Sequence, residues 1–455
     1  MPGWIVLIVL TGSSLGLIHD VTLVSRGETG SVETGVGIET EEKFAKDFNA
    51  APIQRKIGFA GLFILSGYCM LGLPNGVRIQ SFAILGLASL LLLWTLVSIL
   101  WSFEKEETAR EFFRIFVYIG TGMLIARRLE MQEICLILIF SLLFSTFFAV
   151  FVDIAGGAFR PWSSDYRMHG SLHSNDLARQ ALILAIGAYA YALRGKNSRF
   201  WWYVFIASIA VLYYSKSRTG LLTVGCGLVC VRLIRASHQR LFVSVSLTAT
   251  ALALGLLLFS LSNTSVQRRF LDLLAMGRKG DLTSLTGRLP LWQEVWDQAS
   301  GRSFFGFGYG AFWTVERTKE MGEELLWFPR HAHSIYLEMI VNLGFVGLSI
   351  LLLLAAAMLI RTYRSFAHSH RVEYQIFFSV IIAALVNGIS EAAFVLPRDQ
   401  GLFNSILLFA LIFAHPSKIN ALEKQLNPSN SEETYGKDSK RLVDQQKQFT
   451  LRGAP

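Results

Sequence analysis

Residues 331–360 have the sequence HAHSIYLEMIVNLGFVGLSILLLLAAAMLI, a histidine pair followed by a run that is almost entirely apolar. The hydrocarbon core of a bilayer is about 30 Å thick, and a helix of about 20 apolar residues spans it. We therefore predict a membrane-spanning helix over 333–360, with His333 at its mouth. An ionisable side chain at such a boundary usually faces a cavity, a partner or a substrate.

The composition extends this prediction to the rest of the chain. Of 455 residues, 52% are hydrophobic and 16% are charged, whereas a soluble domain carries about 25% charged residues. No soluble basic domain accompanies the net charge of +9, so we expect no nucleic-acid partner. The apolar runs predict an all-α polytopic membrane protein with about 12 transmembrane helices. They lie at 4–18, 57–73, 79–101, 111–126, 133–155, 177–193, 200–215, 219–234, 240–261, 333–360, 373–396 and 400–414.

The short loops predict the orientation of these helices. Lys and Arg are in excess in alternate loops, and cytoplasmic loops carry that excess. With a cytoplasmic N-terminus, segment 19–56 and a long loop over 262–332, between the ninth and tenth helices, lie outside.

Three regions follow from this topology. They are a first helix with its external loop over 1–56, a membrane domain over 57–414 and a polar tail over 415–455. The first helix is short, so whether 4–18 spans the bilayer stays open. The tail cannot bury enough apolar surface to fold, and we predict a disordered cytoplasmic extension.

The long external loop contains a second helical signal. In RLPLWQEVWDQAS (288–300), Trp292, Val295, Trp296 and Ala299 fall on one helical face. A tryptophan-rich amphipathic helix beside a membrane indicates an interfacial or re-entrant element. The segment GFGYGAFW (306–313) follows, and its glycines predict tight turns and close packing.

Three basic residues at the predicted external boundary are candidate catalytic groups. Arg218 lies in SKSRTG, Arg288 at the start of the loop helix, and His333 before the long span. An arginine fork binds phosphate oxygens in pairs, and a helix N-terminus adds donors for an anion. A histidine can accept a proton from a sugar hydroxyl. Together they predict glycosyl transfer from a diphosphate without a metal ion.

Simpler interpretations stay open for each residue. Arg218 alone fits an interfacial anchor, Arg288 a solvated charge at a helix start, and His333 a hydrogen-bonded boundary histidine. The His331 and His333 pair has metal-ligand spacing, but no third ligand is well placed nearby, so we expect neither a metal nor a cofactor. Two carboxylates inside apolar runs, Glu338 and Glu391, fit a structural hydrogen bond and a functional role equally well.

Several segments together resemble the O-antigen ligase and Wzy-type polymerase superfamily, and within it the exopolysaccharide polymerases of the ExoQ type. In chain order they are LWSFE (100–104), SKSRTGLL (215–222), SLTGRLPLW (284–292), FFGFGYGAFW (304–313) and HAHSIYLEMIVNLGFVGL (331–348). The resemblance covers about 57–414. One departure is GSLHSNDLA (170–178), where family members often carry an asparagine–proline–asparagine segment.

The resemblance implies a fold, a reaction and a set of site residues. The fold is of the GT-C type, and the family's essential basic residues map onto Arg218, Arg288 and His333. Asn175, His331 and Tyr336 are weaker substrate-binding candidates. The implied reaction, an inverting one, takes glycan from undecaprenyl diphosphate at the periplasmic face of the bacterial inner membrane, and polymerises exopolysaccharide or O-antigen.

The implied partners are the lipid-linked oligosaccharide, a glycan acceptor, the lipid bilayer and a chain-length regulator. Two alternatives stay open. An O-antigen ligase would pass the glycan to lipid A core instead of to a growing chain. A polysaccharide transporter or flippase would make no bond; against it, the basic residues collect at one membrane face and no helix is evidently broken by Gly or Pro.

Overall fold

A computed structural model describes residues 82–163, 166–170, 174–194, 197–235, 288–325 and 327–392. The predicted spans at 4–18, 57–73, 240–261 and 400–414 lie outside the described residues, as do the loop 19–56 and the tail 415–455. The part of loop 262–332 before Arg288 lies outside them as well. The predicted number of twelve spans is therefore not tested.

Regular structure in the described residues is helical throughout, as the sequence predicts. The α-helices are α1 (Phe82–Val97), α2 (Lys105–Arg128), α3 (Met131–Ala155), α4 (Ser174–Ala192), α5 (Ser198–Tyr214), α6 (Arg218–Leu233), α7 (Arg288–Ala299), α8 (Val315–Leu325), α9 (Ile335–Ser369) and α10 (Val372–Asn387). Short 3₁₀ turns follow α1 at Ser98–Leu100 and α7 at Ser300–Arg302.

Each of the eight predicted spans that fall in the described residues contains a helix, but the helix in the predicted span 373–396 ends at Asn387, before Glu391. Three are long and apolar enough to cross a membrane by length and composition: Phe82–Leu100, Met131–Ala155 and Ile335–Ser369. The shorter α10 is apolar as well. The remaining four predicted spans correspond to α2, α4, α5 and α6.

Helix α4 lies at the centre of the described helices. It packs against α3, α5, α6 and α10, and Leu177, Ala181, Ala185 and Ala188 on it have no exposed surface. Small residues bring the neighbouring backbones close, as in membrane helix bundles generally. A Cβ on Gly227 of α6, for example, would lie 2.3 Å from Ile186 Cδ1.

Helix α3 shows which surface faces away from this centre. Phe140, Phe144, Phe147 and Phe151 follow one another at helical spacing and are 43%, 45%, 70% and 55% exposed. A soluble protein rarely exposes a continuous apolar stripe of this kind. The stripe fits contact with lipid.

The site is positioned by the antiparallel packing of α6 and α10. The Gln375 side chain near the start of α10 donates to the carbonyl of Val231 near the end of α6. Midway, a Cβ on Gly227 would lie 3.7 Å from Ala383 Cβ. The first residue of α6 and the last turn of α10 therefore lie at the same end. The start of α9 joins them, since Ile335 N donates to Gly388 O at 2.8 Å.

Helix α9 is interrupted at Gly344, which the sequence analysis did not foresee. Gly344 has φ 71° and ψ −175°, outside the helical region. The carbonyls of Val341 and Asn342 accept from Phe307 N and Gly308 N at 2.9 and 3.0 Å, and Phe345 N donates to Ser303 O at 2.9 Å. These bonds satisfy backbone groups that the break leaves without a helical partner.

Helix α1 and the turn after it pack against the break through aromatic side chains. Trp94 Nε1 donates to the carbonyl of Leu343 at 3.0 Å, and Trp94, Trp101 and Phe305 form a cluster with ring centroids 5.2–6.0 Å apart. The segment 303–308 is thus inserted between the two parts of α9 and α1. Loop and side-chain groups therefore occupy the break and bond to its free backbone groups.

Helix α7 packs on protein through most of the predicted face, together with Leu291. Leu291, Val295 and Ala299 are fully buried, whereas Trp296 is 41% exposed. The buried face belongs to a small core with aromatic residues of the 306–313 segment and with residues of α8 and α9. Val295 and Ala299 of the predicted face lie in this core, and Trp292 packs against it. The prediction departs from the structure at Trp296 and in leaving out Leu291. Helix α8, also in this core, was not predicted.

Candidate functional site

The carboxylate of Glu391 lies at the centre of a polar cluster just beyond the end of α10. Arg288 Nη2 lies 2.5 Å from Glu391 Oε1, and Asn175 Nδ2 donates to the same oxygen at 2.9 Å. His333 Nδ1 lies 3.7 Å from Oε2, at ion-pair distance but too far for a direct hydrogen bond. The structure thus brings three predicted site residues, Arg288, Asn175 and His333, around Glu391. The sequence had left the role of Glu391 open.

The cluster is largely enclosed. The side chains of Glu391, Arg288 and His333 are 13%, 18% and 24% exposed. Burial by itself would raise the pKa of Glu391, but His333 and the charge of Arg288 favour the ionised carboxylate. The result is a pKa of about 2, below the usual value. The site therefore holds a fixed negative charge at neutral pH, matched to the guanidinium of Arg288.

Arg167 extends the cluster towards the start of α6. Arg167 Nη2 donates to Asn175 Oδ1 at 2.9 Å, and its Nε donates to Ser215 O at 3.1 Å. A continuous path of hydrogen bonds therefore runs from the turn before Arg218, through Asn175, to Glu391. Sequence analysis missed Arg167, which lies in a polar segment without a recognisable motif.

The buried carboxylate of Asp153 fixes the backbone that carries Arg167. Tyr166 donates its hydroxyl to Asp153 Oδ2 at 2.8 Å, and Gly170 N donates to Oδ1 at 3.0 Å. Across the segment, Met168 N donates to Tyr214 O at 2.9 Å. Because both sides of segment 166–170 are tied to neighbouring helices, the position of Arg167 is set by the fold.

Arg218 is the first residue of α6, and its helix begins with a capped turn. The side chain of Ser217 accepts a hydrogen bond from Gly220 N, as an N-cap serine does. The helix packing places Arg218 at the same end of the bundle as Gly388 and Glu391. Arg218 also interacts with other groups of the protein. Its role in substrate binding stays a prediction.

The backbone at His333 is held in a left-handed conformation, with φ 47°. Such a conformation is unfavourable for a residue other than glycine and persists where the surroundings impose it. The preceding peptide is fixed on both sides, because Ala332 O accepts from Trp292 Nε1 at 2.8 Å and Ala332 N donates to Glu338 Oε2 at 2.9 Å. Helices α7 and α9 therefore jointly aim the His333 side chain.

Glu338 connects this peptide to the glycine-aromatic segment. Its Oε1 accepts from Trp313 Nε1 and from Asn342 Nδ2, each at 2.9 Å, and the side-chain oxygen of Asn342 accepts from Gly310 N at 2.7 Å. Glu338 has no exposed surface. Of the two open interpretations of Glu338, the geometry favours the structural one: it holds the loop and His333 in a fixed relation.

Two weaker candidates make contacts within the protein. His331 Nδ1 accepts from His333 N at 3.2 Å, and the two imidazole centroids are 4.0 Å apart. The Tyr336 hydroxyl donates to Leu385 O at 2.7 Å and so binds α9 to α10. Substrate contacts by His331, Tyr336 or Asn175 stay predictions.

The described residues contain no group of three or more His, Cys, Asp or Glu side chains arranged to hold a metal ion. The charges available for an anionic ligand in the described part of the cluster are guanidinium groups. The cluster can therefore bind an anion through Arg288, and it places an imidazole beside that position.

Comparison with known proteins gives two matches. A family model described as O-Antigen ligase matches residues 203–352, a range that includes Arg218, Arg288 and His333. The chain is also similar to the "Exopolysaccharide production protein ExoQ" of Rhizobium meliloti (strain 1021). The two are 22% identical over 333 residues, which cover 68% of this chain and 72% of the relative.

Proposed function

With the resemblance to the O-antigen ligase and polymerase superfamily confirmed by both matches, we propose that this protein polymerises glycan repeats carried on undecaprenyl diphosphate. The proposed location is the periplasmic face of the bacterial inner membrane, in a GT-C-like fold of about 12 helices. The observation that carries the proposal is the pairing of Arg288 and His333 through Glu391, at one end of the helix bundle.

The donor diphosphate is bound in this proposal by groups at two helix starts. Arg288 begins α7 and Arg218 begins α6, and the N–H groups in the first turn of a helix point out of it towards an anion. Charge grows on the diphosphate as the bond to the anomeric carbon breaks. Guanidinium groups fixed in advance at that position stabilise the transition state more than the ground state.

His333 acts on the acceptor. Its Nδ1 faces Glu391, which leaves Nε2 to meet an acceptor hydroxyl. The hydroxyl oxygen bonds to the anomeric carbon, its proton passes to Nε2, and the electron pair of the broken bond leaves on the diphosphate oxygen. Attack opposite the leaving group inverts the anomeric centre, as the family resemblance implies. A positioned base contributes about 10²–10⁴-fold to the rate of such a step.

The choice of acceptor separates the two enzyme alternatives. The name of the relative, an exopolysaccharide production protein, supports the polymerase, in which the growing chain passes to another lipid-linked repeat. The description of the family model as O-Antigen ligase supports transfer to lipid A core. Polymerisation would also bring the enzyme together with a chain-length regulator in the membrane.

A transfer assay tests the proposal directly. Purified protein in lipid nanodiscs, supplied with lipid-linked repeats, is expected to make polymer in the presence of EDTA, because guanidinium groups stabilise the diphosphate. Products are resolved by gel electrophoresis and mass spectrometry, with the Arg288→Ala protein as control.

Three other outcomes of this assay contradict parts of the proposal. Polymer that forms only after a divalent ion is restored would overturn the metal-independent mechanism. Products that grow only on lipid A core would replace the polymerase by the ligase. Movement of lipid-linked repeats across the bilayer without a new glycosidic bond would favour the transporter.

The proposed orientation predicts which cysteines a membrane-impermeant reagent can label. With Cys69, Cys135, Cys226 and Cys230 replaced by serine, Ser303→Cys is expected to react in intact spheroplasts. Ser429→Cys, in the tail, is expected to react only after the membrane is permeabilised. The reverse pattern would show that the loop charges were wrongly interpreted and that the site faces the cytoplasm.

A further inference from the structure

The two oxygens of the Glu391 carboxylate have unequal environments. Oε1 accepts hydrogen bonds from both Arg288 and Asn175. Oε2 lies 3.7 Å from His333 Nδ1, a buried atom that has no hydrogen-bond partner in the described part of the chain. A buried polar atom without a partner is unfavourable. A short displacement of the carboxylate would therefore allow a hydrogen bond between Glu391 Oε2 and His333 Nδ1, which the described structure does not have.

Arg288 is what holds the carboxylate in this position. Arg288 Nη2 donates to Oε1, and a hydrogen bond between a guanidinium and a carboxylate is charge-assisted, the strongest type in proteins. The carboxylate takes Nη2 of the guanidinium, one of the donors that a phosphate bound in bidentate fashion would use. A diphosphate that binds Arg288 through Nη2 therefore displaces Glu391.

We propose that Glu391 is a positioning residue operated by the donor: diphosphate binding takes Arg288 from Glu391, and the released carboxylate moves to His333 Nδ1. The proposal rests on the proposed function of this site. The displacement needed is small, since a hydrogen bond of about 2.9 Å lies less than an ångström from the present separation. Asn175 keeps its bond to Oε1 and acts as the pivot.

The consequence is an order of events in the reaction. With Nδ1–H donating to Glu391, the imidazole is fixed in the tautomer whose Nε2 carries the lone pair, and the carboxylate stabilises the imidazolium formed when the acceptor proton arrives. Before the donor binds, this hydrogen bond is absent, and Glu391 acts on His333 only through its charge at 3.7 Å. His333 is thus brought into its active state only when a donor is present, which limits unproductive reactions of the acceptor.

Substitution of Glu391 by glutamine separates this proposal from a purely structural role. The carboxylate competes with the diphosphate for Arg288, so Glu391→Gln is expected to bind farnesyl diphosphate, a soluble prenyl diphosphate, about fivefold or more tightly. The same change removes the charge that supports His333, so the rate of glycan transfer at saturating donor is expected to fall about tenfold or more. Binding and turnover thus move in opposite directions.

The matched control is Glu373→Gln at the other end of α10, where the carboxylate lies 3.6 Å from Arg371. It is expected to leave farnesyl diphosphate affinity unchanged. Glu391→Asp, which keeps the charge but shortens its reach to Arg288, is expected to tighten binding as Gln does. This second variant preserves the test if the Gln protein does not fold.

The outcomes distinguish the switch from the proposed function on which it rests. Weaker or unchanged diphosphate binding in both Glu391 variants, or an unchanged transfer rate in Glu391→Gln, would overturn the switch. If wild-type protein binds farnesyl diphosphate and Arg288→Ala does not, the diphosphate site itself is supported whatever the Glu391 variants do. If Arg288→Ala binds as well as wild type, the proposed function fails at its first step.

Discussion

Replacement of His333 by alanine is expected to lower the rate of glycan transfer about 10²–10⁴-fold, while the protein accumulates normally in the membrane. The imidazole takes the acceptor proton in the proposed mechanism. Its side chain is 24% exposed and makes no hydrogen bond through Nδ1 in the described structure, so little packing depends on it. Donor affinity, measured with farnesyl diphosphate, is expected to change much less than the transfer rate.

His331→Ala is the matched control, because the two imidazoles are neighbours with centroids 4.0 Å apart. His331 Nδ1 accepts a backbone bond from His333 N, so its loss is expected to loosen the site and to lower the rate only mildly. Equal losses in the two variants would indicate that the histidine pair acts as a unit, as a metal site would. Full activity of His333→Ala would remove it from the mechanism.

The prediction of the candidate site depended on the positions of residues along the chain more than on their contacts. Arg288 and His333 each stand where a polar segment meets a predicted helix, and such boundary charges are costly unless they serve a partner. Successive spans cross the membrane in opposite directions. Helix boundaries on the same side of the membrane therefore lie at the same end of the bundle. For these reasons the sequence was sufficient to select residues that the structure places around one carboxylate.

Glu391 shows where this reasoning stopped. The sequence showed a carboxylate in an apolar run and left a structural and a functional role equally open. Its partners come from positions 175, 288 and 333, which are far apart in the chain, so only the tertiary arrangement reveals that one oxygen serves two donors. Arg167 was missed for the same reason, since its contacts to Asn175 and Ser215 leave no local pattern.

The sequence around Gly344 gives no sign that α9 is interrupted there. The run around Gly344 is apolar and continuous, and an isolated glycine in a helical pattern is often tolerated. What breaks the helix is an insertion from residues 303–308, which supply the backbone partners that the interrupted helix lacks. A pattern of side-chain hydrophobicity does not report such backbone pairing. The absence of an evident break was therefore a weak argument against a transporter.

Gly344→Ala is expected to destabilise the protein severely. At φ 71° and ψ −175° the backbone lies in a region that is essentially restricted to glycine, at a cost of about 1–3 kcal/mol for other residues. A Cβ would also lie 2.0 Å from Phe304 O and 2.3 Å from Phe304 C. These are backbone atoms held by the bonds across the break, so they cannot move aside without separating the loop from α9.

The free energy of unfolding is expected to fall by about 3 kcal/mol or more. This is measured as reduced accumulation in the membrane and a lower apparent melting temperature of the detergent-purified protein. Gly225→Ala in α6 is the matched control, because a Cβ there meets nothing within 4 Å, and it is expected to leave both quantities unchanged. Since the Ala332 peptide that carries His333 is bonded to the same helix segment, any Gly344→Ala protein that does fold is expected to transfer glycan slowly. A Gly344→Ala protein as stable and as active as Gly225→Ala would show that α9 continues through residue 344 and that the loop 303–308 does not hold the site together.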